Sequence, residues 1–356
     1  MPRPFIQSRR LLSRLTGMLV LIAPSIAFGQ APETASNGVV HAKQNIFVPM
    51  SAAAEEVLGV SWLVTGICTA IFAIVAGLLT YAIIKFRSKP GEERLEPPQI
   101  YGSFQIELAW TIIPIMIVFL LALVTARTIG TVQARQIPAD AVKIKVIGRQ
   151  WWWEIHYLSA DGKTTEMITA NELHVPVNKV THLYLQSADV VHAFWVPALA
   201  GKTDLIPNHT NEMWIEPNTL GTFLGNCAEY CGTQHANMLL RVVVDDQAGY
   251  DKWLAAQKAP PVEDTAVAAG KDTFFRTSCI NCHAVDGTIA KGVFGPDLTH
   301  MMSRQTIAAG VAPLNKETLR EWLRDPQEMK HGNLMPNMQL TEKELDDITE
   351  YLASLK

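Results

Sequence analysis

Two long stretches without a charged residue place the strongest constraint on how this chain can fold. Residues 57–84 contain no Asp, Glu, Lys or Arg over 28 positions, and residues 108–126 contain none over 19. About 20 apolar residues let a helix cross the hydrocarbon core of a bilayer. Pro114 in the second stretch is tolerated where neighbouring helices satisfy the freed carbonyl. The sequence therefore predicts two membrane-spanning helices, at about residues 57–84 and 108–128.

The amino terminus has the form of a secretory signal peptide. A basic stretch is followed by the apolar run GMLVLIAPSIAFG, which ends in small residues near Ala27 and Gly29. We expect residues 1–29 to be the signal peptide, and residues 30–135 to hold an outward-facing amino terminus and the helical hairpin. An uncleaved anchor helix is the alternative, which Pro24 and the short apolar run disfavour.

Charge predicts the orientation in the membrane. The loop between the two helices, KFRSKPGEERLEPP, carries Lys85, Arg87, Lys89 and Arg94, and cytoplasmic loops are enriched in Lys and Arg. Everything after Thr131 is then expected to lie on the outer face, with membrane lipid as a partner. The whole chain has a net charge of -4, which argues against a nucleic-acid partner because such proteins are basic.

The segment after the hairpin predicts an all-β domain with a metal site. Residues 142–244 contain short runs such as KIKVIG and THLYLQ, bounded by Gly, Pro and Asn, and this pattern is typical of a β-sandwich or Greek-key barrel. Near the end, GNCAEYCGTQHANM holds Cys227, Cys231, His235 and Met238 within twelve residues. These soft ligands select copper, and a Cys/His set with a weak Met is typical of electron-transfer copper.

Two thiols in place of one indicate two metals bridged by sulfur, so that each metal needs its own imidazole. His192, in SADVVHAFWVP, is the best candidate for the second one. A disulfide between Cys227 and Cys231 is the alternative in an oxidising compartment, but it would not explain the fixed offsets of His235 and Met238. Four other histidines lack accompanying soft ligands and are expected to be ordinary ones: His156, His174, His182 and His209.

A second soluble domain is predicted after an Ala/Pro-rich linker at residues 255–264. In residues 265–356, SCINCHAVDG contains Cys279, Cys282 and His283 as CxxCH. This is the attachment motif of c-type haem, in which both thiols bind the haem and the adjacent His ligates iron. A thioredoxin-like site would need a βαβ context, and half a zinc site would need a second CxxC.

The rest of this domain is predicted to be helical. KETLREWLRD and TEKELDDITEYLASL are expected to form short helices, the second with a capping box made by Thr341 and Glu344. The haem iron needs a sixth ligand, and HGNLMPNMQL offers Met335 and Met338. A Met ligand raises the haem potential relative to His.

These motifs together resemble subunit II of haem-copper cytochrome c oxidases. The resemblance rests on CAEYCGTQHANM, DVVHAFWVP, GRQWWWEIHY and ELAWTIIP, and it covers about Ser51 to Trp253. The carboxy-terminal segment resembles class I cytochrome c, a fusion found in caa3-type oxidases. The resemblance implies a multi-domain membrane protein: a transmembrane hairpin, an all-β cupredoxin-like Greek-key barrel at residues 136–254, and an all-α cytochrome c domain.

The resemblance also implies the metal ligands. In the binuclear copper centre CuA, Cys227 and Cys231 would bridge the two coppers. The other ligands would be two imidazoles, a weak axial thioether and a main-chain carbonyl, supplied by His192, His235, Met238 and Glu229. The Glu229 carboxylate would reach a magnesium or manganese ion shared with the catalytic subunit.

In the haem domain, the resemblance favours Met335, which belongs to the MP dipeptide, over Met338 as the axial ligand. It also matches Pro296 in GVFGPDLTH to the proline whose carbonyl accepts a hydrogen bond from the proximal imidazole and fixes the ring.

Two further residues have a role by resemblance and an ordinary alternative. Trp151 would be the exposed surface through which electrons reach copper, although aromatic residues in strands are usually packing residues. Related proteins commonly have Tyr where this chain has Trp152. The resemblance also places Glu107 at the mouth of a proton-uptake channel, although without it a flanking residue at the membrane boundary is favoured.

The order of these parts predicts an electron pathway. A c-type cytochrome or other respiratory donor would reduce haem c, and electrons would pass through CuA to subunit I, which reduces oxygen to water coupled to proton translocation. Subunits I and III would be partners in a bacterial inner membrane, with both soluble domains on the periplasmic face. A copper-delivery protein is an alternative, as is a quinol-oxidase subunit, which would lack Cys227 and Cys231.

Overall fold

The computed structural model describes most of the chain, namely residues 33–34, 40–42, 44–87, 99–133, 136–261 and 265–356. The predicted signal peptide lies outside the described residues. Two short strands, β1 (Glu33–Thr34) and β2 (Val40–Ala42), precede the first long helix.

Two long apolar helices follow, α1 (Ala52–Lys85) and α2 (Phe104–Gln133), and they pack against each other. Both are longer than the uncharged stretches, because a helix can continue through charged residues outside the apolar core of a membrane. Glu55 lies in the first turn of α1, where a carboxylate favours the positive end of the helix dipole. Pro114 lies inside α2 without ending it. Both helices are long and apolar enough to cross a membrane.

The next segment folds into two packed sheets, which confirms the predicted β-sandwich. The strands in chain order are β3 (Val142–Arg149), β4 (Trp152–Leu158), β5 (Thr165–Ala170), β6 (Glu172–Pro176), β7 (Thr181–Ser187), β8 (His192–Trp195), β9 (Thr203–Leu205), β10 (Asn211–Ile215), β11 (Gly221–Cys227) and β12 (Leu239–Asp245). One sheet has the order β10-β7-β3-β4-β5. The other has the order β1-β2-β11-β12-β6, with β8 paired to β11 and β9 to β8. Trp153, Phe194 and Phe223 are fully buried in the core.

Strand pairing brings the distant metal-type residues together. β8 pairs antiparallel with β11, so that Phe194 lies opposite Cys227. The chain then loops from Cys227 through a short 3-10 turn, His235–Asn237, into β12. Gly148 on β3 permits the close approach of His192, because a Cβ at this position would lie 2.7 Å from the imidazole.

The helical hairpin is hydrogen-bonded directly to the β-sandwich at the start of α1 and at the end of α2. Before α1, the Met50 N–H donates to the Ala198 carbonyl at 2.7 Å, and the Ser51 hydroxyl donates to the carbonyl of Leu199. At the end of α2, the indole of Trp214 donates to the Val132 carbonyl at 2.6 Å. The two helices and the sandwich are therefore joined by tertiary contacts as well as by the chain.

The sandwich is followed by helix α3 (Gln247–Lys258), which makes the linker shorter than predicted. Residues 255–258 were expected to belong to the linker, but they form the last turn of α3. Ala, Gln and Lys are good helix formers, whereas Pro260 cannot continue a helix. The β domain is hereafter residues 136–258.

The last domain, residues 265–356, is hereafter the CxxCH domain. Its helices are α4 (Ala268–Arg276), α5 (Cys279–Cys282), α6 (Lys316–Arg324), α7 (Pro326–Met329) and α8 (Glu342–Ser354), with one small hairpin of β13 (Thr306–Ile307) and β14 (Ala312–Pro313). The predicted capping box of Thr341 and Glu344 is present. Gly270 lets α4 approach α8, because a Cβ there would lie 1.9 Å from the Asp347 carbonyl oxygen. This confirms the helical domain.

Candidate metal centre and haem pocket

Cys227 and Cys231 form the centre of the first site. Their sulfur atoms are 3.8 Å apart, both side chains are buried, and both are free thiols, contrary to the disulfide alternative. Their shared hydrogen bond lowers the pKa of Cys227 and raises that of Cys231. One thiol thus ionises readily while its neighbour holds the proton, as expected of two coupled thiols. Metal binding would displace that proton, because thiolates are the ligand form.

Each thiol has its own imidazole. Nδ1 of His192 is 3.8 Å from Sγ of Cys227, and Nδ1 of His235 is 3.7 Å from Sγ of Cys231. The sulfur of Met238 is 3.9 Å from Sγ of Cys231. His192, Cys227 and Cys231 form a group whose ligand atoms all lie within 4.8 Å of one another. The donor set of two thiols, two imidazoles and a thioether is soft, and it fits copper.

Main-chain contacts complete this cluster. The carbonyl oxygen of Glu229 lies 3.1 Å from Sγ of Cys227. The Cys231 carbonyl accepts hydrogen bonds from the Gln150 amide at 2.7 Å and from the Trp151 indole at 3.0 Å. The structure therefore brings together all six residues that the sequence assigned to the copper centre.

Asp189 fixes the orientation of His192, and sequence reasoning missed it. Its Oδ1 lies 2.7 Å from Nε2 of His192, and its carboxylate also accepts the N–H groups of Gln150 and Val190. Burial tends to lower the pKa of His192, but the hydrogen bonds with Asp189 and Cys227 outweigh it and raise the pKa. A carboxylate on the remote ring nitrogen is the usual partner of a metal-binding histidine.

Three of the histidines expected to be ordinary ones have carboxylate partners away from the thiols. His156 contacts Glu154, His174 contacts Asp245 and His182 contacts Glu212.

The expectation that Trp151 is exposed is wrong for this chain. Trp151 is only 9% exposed, because the CxxCH domain lies over it. Trp153 is fully buried and packs against Phe194 and His192. Trp152 is half-buried, with Arg149 stacked over its ring at 5.6 Å.

A cavity of about 290 Å³ lies between the CxxCH domain and the β domain. The motif residues Cys279, Cys282 and His283 line it, as do Met335 and Met338. Its wall on the side of the β domain includes three consecutive residues, Gln150, Trp151 and Trp152. The cavity thus reaches from the CxxCH motif to Trp151, whose indole is hydrogen-bonded to the Cys231 carbonyl.

Three observations test whether this cavity suits haem. Nδ1 of His283 lies 2.8 Å from the Pro296 carbonyl, which leaves Nε2 for iron. Burial lowers the pKa of His283 and keeps the imidazole in its neutral, ligating form. The Nε atom of Arg304 is buried beside the cavity without a partner in the described part of the chain. A haem propionate would satisfy it, so the residues fit.

Met335 and Met338 both line the cavity, but they differ in the contacts that hold them in place. Met335 packs against the core of the CxxCH domain. Its N–H donates to Asn333 at 2.8 Å, and its carbonyl accepts from Gln327 at 2.9 Å. These contacts fix the main chain at Met335.

Glu107 lies in the first turn of α2 and is exposed. Within this chain it stands apart from the thiol cluster and from the cavity, so its assigned role depends on a partner chain.

A membrane hairpin that carries a cupredoxin-like β domain and a c-type cytochrome domain defines a membrane-anchored electron carrier. Three family models match the chain in this order. They are cytochrome c oxidase subunit II, transmembrane domain, at residues 39–127; cytochrome c oxidase subunit II, periplasmic domain, at residues 142–246; and cytochrome c at residues 267–356.

Curated relatives extend across these domains. The chain is 37% identical over 301 residues to cytochrome c oxidase subunit 2 of Alkalihalophilus pseudofirmus, covering 82% of this chain and 84% of that protein. It is 35% identical over 291 residues to the same subunit of Bacillus sp. strain PS3, covering 76% and 80%. The chain therefore belongs to the cytochrome c oxidase subunit II family.

Among solved structures, the periplasmic domain of subunit II of the cytochrome oxidase of Bradyrhizobium japonicum is 33% identical, with a TM-score of 0.30. That match covers 35% of this chain and 97% of the other. Family membership makes the chain an electron-transfer subunit of a haem-copper oxidase complex in a membrane. It implies copper in the β domain and haem in the CxxCH domain, as the sequence predicted.

Proposed function

We propose that this chain is the electron-accepting subunit of a caa3-type cytochrome c oxidase. Electrons from a c-type cytochrome or another respiratory donor reach a covalently bound haem c, pass to a binuclear CuA centre, and continue to subunit I. Oxygen is reduced to water there, coupled to proton translocation. The haem and the copper pair each supply a one-electron redox site, and the chain holds and orients both.

The CuA ligands are the residues of the thiol cluster. Cys227 and Cys231 would hold the copper pair through their sulfurs, and His192 and His235 would each supply an imidazole. Met238 and the main-chain carbonyl of Glu229 would supply weaker ligands. In support, all of these donor atoms lie around the same two sulfurs. The burial of the thiols excludes water and holds the ligands in place before metal arrives.

The haem c is held by the CxxCH motif. Cys279 and Cys282 form the thioethers, His283 and Met335 ligate iron, and Pro296 fixes the proximal ring through its carbonyl. The lining of the cavity and the 2.8 Å contact between His283 and Pro296 support this assignment.

One contact carries the proposal. Trp151 lines the cavity, and its indole nitrogen donates to the Cys231 carbonyl at 3.0 Å. A single side chain thus connects the haem pocket to a CuA ligand. We therefore assign Trp151 as the place where electrons enter the copper centre, and the donor to Trp151 is the chain's own haem domain.

The remaining assignments concern partners. The Glu229 carboxylate reaches a magnesium or manganese ion shared with subunit I, and Glu107 lies at the mouth of its proton-uptake channel. Subunits I and III pack around the two helices, whose apolar side chains are exposed in the single chain. The soluble domains lie on the periplasmic face of a bacterial inner membrane, since the basic loop between the helices favours the cytoplasm.

Purification of the membrane complex tests this function. Copper content, the pyridine haemochrome spectrum and cytochrome c oxidation should be found in the same preparation. A complex that oxidises cytochrome c without copper, or that releases its haem on denaturation, would contradict the proposal. Copper that a strong chelator removes readily would favour the copper-delivery alternative.

A further inference from the structure

Lys330 joins the two soluble domains at the point where both ligand loops meet. It lies in the CxxCH domain, five residues before Met335, and it is 3% exposed. Its Nζ donates to the main-chain carbonyls of Trp151 at 2.9 Å, Asn237 at 2.7 Å and Ala308 at 2.9 Å. An ammonium group has three donors, and here each one has a partner.

The three carbonyls belong to segments that matter for electron transfer. Trp151 separates the haem cavity from Cys231. Asn237 lies between the copper ligands His235 and Met238, in the turn that leads into β12. The carbonyl of Ala308 belongs to the turn of the small hairpin, within the same domain as Lys330. One side chain therefore ties the haem-ligand loop to the copper-ligand loop.

A buried ammonium is an unusual choice for packing alone. Burial lowers the pKa of Lys330 to about 7, because a charged group loses its hydration. Its three carbonyl partners compensate for that loss only while the domains are together, since two of them belong to the β domain. Separation of the domains would leave those two carbonyls without this donor.

Other polar contacts surround this interface. Glu172 of the β domain is 3% exposed, and its carboxylate accepts the N–H groups of Gln305 and Thr306 at 2.8–2.9 Å. The Leu239 N–H donates to the Ala309 carbonyl at 3.1 Å. These contacts give amide protons that report directly on whether the domains are together.

We propose that Lys330 is a positioning residue that keeps the CxxCH domain docked, with the haem cavity closed by Trp151 and next to the CuA ligands. The role of this docking in electron transfer rests on the proposed function. Docking would serve electron transfer between the two groups that these residues hold: one electron would leave the haem and enter the copper pair, with no bond formed or broken.

The test compares full-length protein in the assembled complex with a Lys330→Met variant, using hydrogen exchange. The amides of Leu239 and Thr306 should exchange at least about tenfold faster in the variant, because hydrogen bonds to charged groups are among the stronger kind. Amides within α4, α8 and strands β3 and β4 should keep their wild-type rates. The matched control is Lys343→Met, a lysine whose side chain is 79% exposed in the same domain.

A second measurement follows the rate of electron transfer from haem c to CuA. Reduction of haem c by a fast pulse should be followed by electron transfer to CuA at least about tenfold more slowly in Lys330→Met, with the haem c spectrum unchanged. The proposal would be overturned if the interface amides of Lys330→Met exchanged at wild-type rates and its haem c transferred electrons to CuA at the wild-type rate. If the variant does not accumulate, Lys330→Gln replaces it and must still exchange faster at the two interface amides. A wild type without copper or covalent haem would refute the proposed function, while the exchange measurement would still decide the role of Lys330.

Discussion

Oδ1 of Asp189 lies 2.7 Å from Nε2 of His192, so the imidazole presents its other nitrogen to Cys227. The carboxylate is itself held by two main-chain N–H groups, from Gln150 and Val190. The orientation of His192, a proposed copper ligand, is therefore set by a residue that does not touch the thiols.

Replacement of that carboxylate should weaken copper binding. Asp189→Leu removes the partner of His192, and loss of such a partner typically costs about 10- to 100-fold in metal affinity. Chelator titration of the copper-loaded protein measures the change. Asp140→Asn is the control, because its side chain is 80% exposed. Equal copper affinity in both variants would show that Asp189 does not orient the ligand.

The two redox sites should respond independently to loss of a thiol. Cys227→Ser or Cys231→Ser removes a proposed bridging ligand and should abolish the near-infrared absorption of copper while leaving the haem c spectrum intact. Cys68→Ser changes an exposed cysteine in α1 and should alter neither signal. Loss of both signals, or of neither, in the bridging variants would count against two separate sites.

The axial ligand can be identified from the haem potential. Met335→His should lower the reduction potential of haem c, because His ligation gives a lower potential than Met ligation. Met338→His should leave it near the wild-type value. Redox titration of the two variants makes the comparison, and the opposite result would assign Met338 as the ligand.

Acid should destabilise the β domain through Glu154. Burial tends to raise the pKa of its carboxyl, but His156 and Arg149 outweigh burial and hold the pKa below its ordinary value of 4.5. The resulting stability is present above pH 4.5 and is lost as the pH falls through the lowered native pKa.

Glu154→Gln should therefore lose less stability than the wild type when the pH is lowered from about 6 to about 3. Thermal unfolding of the metal-free protein at several pH values measures this difference. Glu166→Gln, which alters a side chain that is 40% exposed, serves as the control and should follow the wild type. Parallel pH profiles for wild type and Glu154→Gln would contradict the prediction.

Local sequence patterns predicted the chemistry of this chain better than its assembly. The CxxCH motif and the Cys227–Met238 segment carry their ligands within a few residues, so spacing alone reveals them. His192 was selected by requiring a second imidazole, but the pairing of β8 with β11 that brings it to Cys227 was not predicted. The burial of Trp151 was missed, because it depends on where a separate domain lies, and no local pattern encodes that position.

The buried residues Glu172 and Lys330, and the partly exposed Asp189 that holds His192, were also missed. Each one contacts a residue that is distant in sequence: Asp189 accepts the Gln150 N–H, Glu172 accepts the Thr306 N–H, and Lys330 donates to the Trp151 carbonyl. Charged residues are usually solvent-exposed, so their sequence positions gave no signal. The capping box of Thr341 and Glu344 was predicted, because these two residues are only three positions apart.

Hydrogen bonds from Met50 to Ala198, from Ser51 to Leu199 and from Trp214 to Val132 join the sandwich to both long helices. A sandwich attached to both helices would carry the thiol cluster at a set height and tilt above the bilayer surface. An acceptor buried in a neighbouring membrane subunit would meet it at one fixed separation, and tunnelling towards that acceptor would not have to wait for any swivelling of the donor.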